Sequence, residues 1–442
     1  MYIKHPLKDL VEKQKNGLAC GIYSACSADK FVITAVMERA LIDNEHVLIE
    51  ATANQVNQFG GYTGMRPADF REFVYSLAAK IGFPQTKIIF GGDHLGPLTW
   101  NSEDANSAMQ KSKELIREYV MAGFTKIHID TSMKLADDQQ NTPLDTEIIA
   151  TRGAMLCKEA ELAFTELRKD KPDAINPVYV VGSEVPIPGG SQEVEEGIHV
   201  TKVMDFERTI ETFKKAFQKY QLDVVWDNVI AVVVQPGVEF GNESIHEYKR
   251  SAAQELSAAL KRYPGLIFEG HSTDYQPAHA LREMVEDGIA ILKVGPALTF
   301  ALREGLFALS YMESELFRFN YNVEQSRFME VLDYYMVNNP DNWKNHYHGE
   351  PAKIRYARKF SFSDRCRYYL PVREVQYAFD KLIKNLHLVD IPLSLISQFM
   401  PMQYKKIQNG LLKRDPESLL KDRIINCIDD YMYAVKPGSV CR

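Results

Sequence analysis

Long apolar runs, paired cysteines and basic blocks are all scarce in this 442-residue chain, and each scarcity excludes a class of protein. No apolar stretch approaches the ~20 residues that a membrane-spanning helix needs. The opening MYIKHPLKDLVEKQKNG lacks the apolar centre of a secretory signal. The six cysteines (Cys20, Cys26, Cys157, Cys366, Cys427 and Cys441) stand far apart with no CxxC pair. Reduced thiols in a cytoplasmic protein are therefore expected, and a cysteine-based metal site is not. No basic block is longer than a pair such as Lys214 and Lys215, and 52 basic against 59 acidic residues leave a net charge of -7. Nucleic acid and membrane are thus not expected as partners. Low-complexity tracts and flexible Gly/Ser linkers are missing too.

What is present is ordinary globular material, 45% hydrophobic and 25% charged. Short runs rich in Val, Ile and Phe alternate with segments of helical period. The runs are ACGIYSAC (19–26), VLIEAT (47–52), IIFGGDH (88–94), KIHIDTS (126–132), VYVVGSEV (178–185), VIAVVVQPG (229–237), LIFEGHST (266–273) and AILKVGP (290–296). Near-continuous apolar character marks strands buried on both faces. The segments between them carry helix punctuation: Pro67 with Gly82, Ser102 with Gly123, and 246–263 stopped by Pro264 and Gly265. A series of βα units connected by right-handed crossovers predicts a (β/α)8 barrel, ending near residue 318. An open doubly wound sheet fits less well, because no GxGxxG turn follows the first strand. Residues 319–442 then read as a C-terminal helical extension packed on a barrel of residues 1–318.

Most of these runs end in polar groups: Glu50, Asp93 with His94, Asp130, Glu184, Gln235, His271 and Lys293. In a barrel those ends converge on one mouth, where ionisable groups perturb each other and can hold a metal. The loops GGDHLGP (91–97) and NQFGGYTGM (57–65) are glycine-rich, which allows close backbone approach to a ligand. GSEVPIPGG (182–190) is stiffened by Pro186 and Pro188. EGHSTD (269–274) and KVGPALT (293–299) lie on the last two strands, where barrels build phosphate sites from a helix start. They offer Ser272, Thr273, Asp274, Lys293 and Gly295, with Glu50 nearby on the mouth. In the extension, Asp364, Arg365 and Arg367 read either as a surface salt-bridge network or as groups that close over the mouth, Arg365 then being the arginine assigned to a phosphate.

The blocks EATANQVNQFGGYTGMRPADFREFV, GGDHLGP, KIHIDTSM, GSEVPIPGG, VVVQPGVEF, HSTDYQ, LKVGPALTFALRE and DIPLSLISQ closely resemble the Z-type subunit family of class II D-tagatose-1,6-bisphosphate aldolases, once labelled tagatose-6-phosphate kinases. The resemblance runs essentially end to end. The sequence has no P-loop of the form GxxxxGK[ST], so a kinase is disfavoured. The resemblance implies a barrel related to catalytic class II aldolases. It implies one of two roles: a non-catalytic partner of a smaller aldolase subunit, or a free-standing 4-epimerase of fructose, tagatose or their 6-phosphates. It also implies a divalent metal (zinc, manganese or magnesium), a sugar or sugar phosphate as ligand, and self-association.

Carried over by position, Asp93 resembles the superfamily's proton-transfer acid and His94 its first metal-binding histidine, with Asp130 and Glu184 as further acidic groups. Where the aldolases have a second histidine, this chain has QPGVEF. In the third position EGHST leaves Glu269 or His271 as the equivalent. The resemblance thus leads to the expectation that the three-histidine site is not preserved. A mixed set of His94, Glu184, Gln235 and His271 takes its place, with Asp93, Glu184 and Asp130 as catalytic groups. The 4-epimerase is the leading expectation, by retro-aldol cleavage and re-addition, because C4 of a ketohexose carries no acidic proton.

Overall fold

The computed structural model describes residues 4–185, 198–320 and 322–438. The eight expected runs form eight parallel strands: β1 (Ile22–Cys26), β2 (Val47–Thr52), β3 (Ile88–Leu95), β4 (Lys126–Ile129), β5 (Val178–Val181), β6 (Val229–Val234), β7 (Ile267–Gly270) and β8 (Ile289–Val294). They close into a barrel in sequence order, with β1 pairing β8 through Ile22–Ile291 and Ser24–Lys293. A short antiparallel hairpin (Glu239–Phe240 with Ile245–His246) follows β6. Pro186 and Pro188 lie outside the described residues.

Alternation along each strand sends every second side chain inward. At one end the barrel's filling is aliphatic. Leu48, Ile89, Val178, Val180, Ala231, Val233, Ile267 and Ile291 form a cluster with Leu7, Leu10 and Val11 of the helix Pro6–Lys15, which closes that end. Each such side chain contributes ~1.5–3 kcal/mol when fully buried. A second, larger apolar core lies between the strands and the surrounding helices. The punctuation behaves as expected at Pro67–Ile81, which Gly82 ends in a left-handed conformation. The next helix, Ala105–Met121, starts later than Ser102 suggests, because Asp104 accepts the Ser107 N–H at 3.0 Å and caps it.

Beyond the last barrel helix, Pro296–Phe317, six more α-helices follow among the described residues: Phe328–Asn338, Pro351–Phe360, Arg373–Leu386, Leu393–Phe399, Pro401–Gln408 and Pro416–Val435. The last of these packs on the barrel helices Lys30–Asp43, Ala278–Glu286 and Pro296–Phe317, burying Leu419, Leu420, Ile424 and Ile428. Residues 361–368 are tied to the mouth by several bonds. Asp364 pairs with Arg303 (3.0 Å) and accepts from Thr299 (2.6 Å), while Phe362 N–H donates to Asn242 and Tyr275 donates to the Phe362 carbonyl. The five described cysteines are unpaired, and among the described residues no helix is long and apolar enough to cross a membrane.

Candidate functional site

Toward the C-terminal ends of the strands the inward positions change from aliphatic to charged. At the end of β3 the chain places Asp93 and His94, the latter at φ 48°. That left-handed conformation costs a non-glycine residue on the order of 1 kcal/mol. It is held there by the His94 N–H, which lies 3.1 Å from Nδ1 of His128, and by the His94 ring, which meets Asp130 at 2.8 Å. His128 comes from β4 and His271 follows β7. The three imidazoles stand with ring centroids 4.8 to 5.0 Å apart, each pair edge to face. One donor atom from each ring and one from Asp93 all lie within 4.8 Å of one another.

Each ring is anchored through one nitrogen: His94 Nδ1 by Asp130, His271 Nε2 by Glu269 (3.0 Å), and His128 Nδ1 either by accepting the His94 N–H or, in the other tautomer, by donating to Asp93 Oδ1 (3.0 Å). Such outer partners fix the orientation of metal-binding histidines. His128 Nε2 is buried without a hydrogen-bond partner, a state that buried ring nitrogens rarely tolerate. Three oriented imidazoles, a carboxylate and an orphaned nitrogen fit a divalent transition metal. Burial opposes ionisation of Asp93, yet His94, His128 and His271 around it hold its carboxyl well below the usual range.

Beneath the histidines lies a fully buried charge network. Lys126 of β4 sits between Glu50 of β2 (2.7 Å) and Glu269 of β7 (2.6 Å). Lys293 of β8 contacts Glu50 and lies 2.9 Å from Asp93. Burial draws the Lys293 ammonium down to about 8, against the opposing pull of the neighbouring Cys26. The glycines of GGDHLG serve this network more than a ligand. A side chain on Gly91 would strike the Glu50 carboxylate, and one on Gly96 would strike the Asp130 carbonyl.

Above the cluster is a cavity of about 90 Å³, lined by Cys26, Asn54, Gln55, Tyr62, Asp93, His94, His271, Ser272, Asp274, Lys293, Gly295, Arg367 and Tyr368 among others. A second cavity of about 260 Å³ adjoins it and shares Gln55, Tyr62 and Arg367. Amide, hydroxyl and charged groups on a half-enclosed wall suit a polyol. Asp274 is turned onto the start of the helix Pro296–Phe317, accepting from Gly295 N–H (3.0 Å) and Ala297 N–H (2.8 Å). Burial pushes its carboxyl up to about 6.

The structure thus brings Asp93, His94, His271, Ser272, Asp274, Lys293 and Gly295 to one cavity, and corrects the rest. Glu184 is exposed and accepts the Thr201 hydroxyl at 2.7 Å, outside the histidine cluster. Gln235 spends its side-chain oxygen on the N–H groups of Gly237 (2.8 Å) and Val238 (3.0 Å). Neither belongs to the donor group; His128 takes their place, so three histidines do meet. Asp130 accepts from the Ser132 N–H (3.0 Å) and the Ser132 hydroxyl (2.6 Å), meets His94, and does not line the cavity, which leaves it an orienting role. Glu50 is sealed between two lysines, and Thr273 donates to the Lys293 carbonyl at 2.6 Å; neither lines the cavity. Arg365 points to the Asn342 carbonyl (3.1 Å), and Arg367 occupies the position over the mouth. His128 was legible in principle, since strict alternation from Asp130 in KIHID puts it on the same inward face.

The family described as "D-tagatose-1,6-bisphosphate aldolase subunit GatZ/KbaZ-like" matches residues 7–436. Curated relatives named D-tagatose-1,6-bisphosphate aldolase subunit GatZ, from Salmonella gallinarum and Salmonella enteritidis, are each 48% identical over 431 residues, covering 98% of this chain and 99% of theirs. Among solved structures, a probable tagatose 6 phosphate kinase from Sinorhizobium meliloti 1021 is 43% identical with a TM-score of 0.84, covering 94% of this chain and 100% of its own. With a closed eight-stranded barrel and a match over nearly its whole length, the chain belongs to the GatZ/KbaZ-like family of D-tagatose-1,6-bisphosphate aldolase subunits.

Proposed function

We propose that this chain works as a GatZ-type subunit of a class II tagatose-1,6-bisphosphate aldolase, in complex with a smaller aldolase subunit. The observation that carries this reading is the 48% identity to GatZ subunits across 98% of the chain. The test is an aldolase assay on tagatose 1,6-bisphosphate with the small subunit alone, this chain alone, and both together. Triose release that rises severalfold only in the mixture supports the reading; an unchanged rate in the mixture refutes it.

A second reading has its own support in the geometry. An assembly subunit has no need of three oriented imidazoles, an ionised Asp93 and a half-enclosed cavity lined by polar groups. These parts suit inversion at C4 of a ketohexose or its 6-phosphate. His94, His128 and His271 would hold a divalent metal, which supplies Lewis-acid stabilisation of charge on substrate oxygens, leaving Asp93 for proton transfer. Asp93 and Lys293, 2.9 Å apart, present an acceptor and a donor to a substrate hydroxyl. A retro-aldol cut between C3 and C4 needs the C4 hydroxyl proton removed and later returned, and Asp93 is the ionised carboxylate in reach of the cavity. Residues 361–368 over the mouth would keep the cleaved aldehyde from leaving before it turns and adds back. Fructose 6-phosphate incubated with this chain alone and Zn²⁺, Mn²⁺ or Mg²⁺ decides this reading. Metal-dependent tagatose 6-phosphate without free triose supports it, and no conversion with any of the three removes it.

A further inference from the structure

The last two strands of a barrel ordinarily offer an anion site at the start of the following helix, because its first N–H groups point outward unpaired. Here that position is filled from within. The Asp274 carboxylate, 3% exposed, accepts from Gly295 and Ala297 at the start of Pro296–Phe317. A phosphate cannot take the same N–H groups, and it would meet a second anion if it approached them.

Arg367 lines the same cavity from the opposite, C-terminal part of the chain, where the two adjoining cavities meet. Its guanidinium donates to neutral acceptors, the carbonyls of Ser363 and Asp364 and the Tyr368 hydroxyl (3.1 Å). Tyr368 in turn packs edge-on against Tyr62, with centroids 4.8 Å apart. The loop carrying Arg367 is fixed by the buried Arg303–Asp364 pair. The cation is therefore held in place, faces the cavity, and makes no direct ion pair with a carboxylate among the described residues, Asp274 and Asp364 acting on it only through their charge. Nη1 spends its two N–H groups on the carbonyls and Nη2 one on Tyr368, so Nε–H and the second Nη2–H are the donors left for a phosphate.

We infer that Arg367 seats the phosphate of a bound sugar phosphate, and that Asp274 directs it there by occupying the helix start where a phosphate would otherwise lie. This rests on the reading that the cavity takes a sugar phosphate, and adds which residue grips the charged end. The other end of the sugar is then turned toward Asp93 and the histidines.

Binding measured without turnover tests it. The full chain is titrated calorimetrically with inorganic phosphate, fructose 6-phosphate and fructose, for the wild type, R367Q, R367K and D274A/R367Q. R367Q is expected to weaken phosphate and fructose 6-phosphate at least tenfold and to leave fructose unchanged. R367K keeps the charge and falls between. D274A/R367Q, with the helix start opened, recovers part of the phosphate affinity. Equal weakening of fructose and fructose 6-phosphate in R367Q, unchanged phosphate affinity, or no phosphate binding by the wild type overturns the inference. A chain that binds phosphate through Arg367 yet converts no sugar upholds the inference while removing the epimerase reading.

Discussion

Two sides of the same barrel mouth have been built differently. Strands β2, β3, β4, β7 and β8 deliver Glu50, Asp93, Lys126, His128, Glu269 and Lys293 into one buried cluster. Strands β5 and β6 fill their inward positions with Val178, Val180, Ala231 and Val233. Their polar ends, Glu184 and Gln235, are joined to each other's neighbourhood through Thr201, which donates to Glu184 and whose hydroxyl accepts the Gln235 N–H at 2.9 Å. A polar residue at a strand end is therefore not enough. What decides is whether its polar atoms are already satisfied by the loop it begins.

The largest expected effect comes from the loaded side. Lys126→Met leaves Glu50 and Glu269 facing each other in a fully buried site, and breaking such a pair costs ~3–5 kcal/mol. Chemical denaturation should show that loss, with partial recovery in K126M/E269Q, where one carboxylate is removed as well. A stability within 1 kcal/mol of the wild type, by the ~0.5 kcal/mol scale of ordinary surface changes, would mean that the network is not closed as described.

Next in size is the metal. His128→Ala removes a donor and not only a supporting group, so the affinity for Zn²⁺ or Mn²⁺ should fall by more than the ~10–100-fold that losing an outer partner costs. Asp130→Asn, which only orients His94, should fall within that range. Metal content after dialysis, with a competing chelator for the constants, separates the two. Equal losses in both variants would contradict the division of roles.

How much of this was readable beforehand follows from the same distinction. The eight strands were legible because burial on both faces forces continuous apolar runs, and β6 shows it most plainly with VIAVVV wholly buried. Asp93, His94, His271 and Lys293 were legible as polar breaks at the ends of such runs. His128 was hidden because it lies inside a run and not at its end, flanked by Ile127 and Ile129. Lys126 was hidden for a different reason: it opens the run at the N-terminal end of β4, away from the polar C-terminal ends that mark the mouth. Glu184 and Gln235 misled because hydrogen bonds to Thr201, Gly237 and Val238 depend on how a loop returns, which no local pattern records. The choice between Arg365 and Arg367 likewise turned on the left-handed Asp364 (φ 45°) that starts their short turn.

A smaller effect, with a definite sign, is expected at the rim. Asp274 has its carboxyl pushed up to about 6 by burial, with Arg367, Tyr275, Cys427 and Tyr431 as the titratable groups around it. The folded state then holds this proton more tightly than the unfolded chain. The contribution is complete below about pH 4 and is lost as the pH rises through about 6. Relative to D274N, which does not titrate, the wild type should lose at most ~3 kcal/mol between pH 4 and pH 7. Parallel stability curves for the two proteins would show that the carboxyl is not buried in this way.

The smallest effects belong to the side without the cluster, and they give the comparison its sharpest test. Glu184→Gln keeps an acceptor for Thr201 and alters an exposed side chain, so both metal affinity and stability should stay within twofold and ~0.5 kcal/mol of the wild type. Gln235→Ala is the more informative variant. It deprives the Gly237 and Val238 N–H groups of their acceptor, at ~1 kcal/mol for each bond lost. Metal content should nevertheless be unchanged, because no donor atom has been touched. Stability falling without metal loss at Gln235, set against metal loss at His128, would place the binding set on β3, β4 and β7. Metal loss in Q235A or E184Q would instead return β5 and β6 to the site.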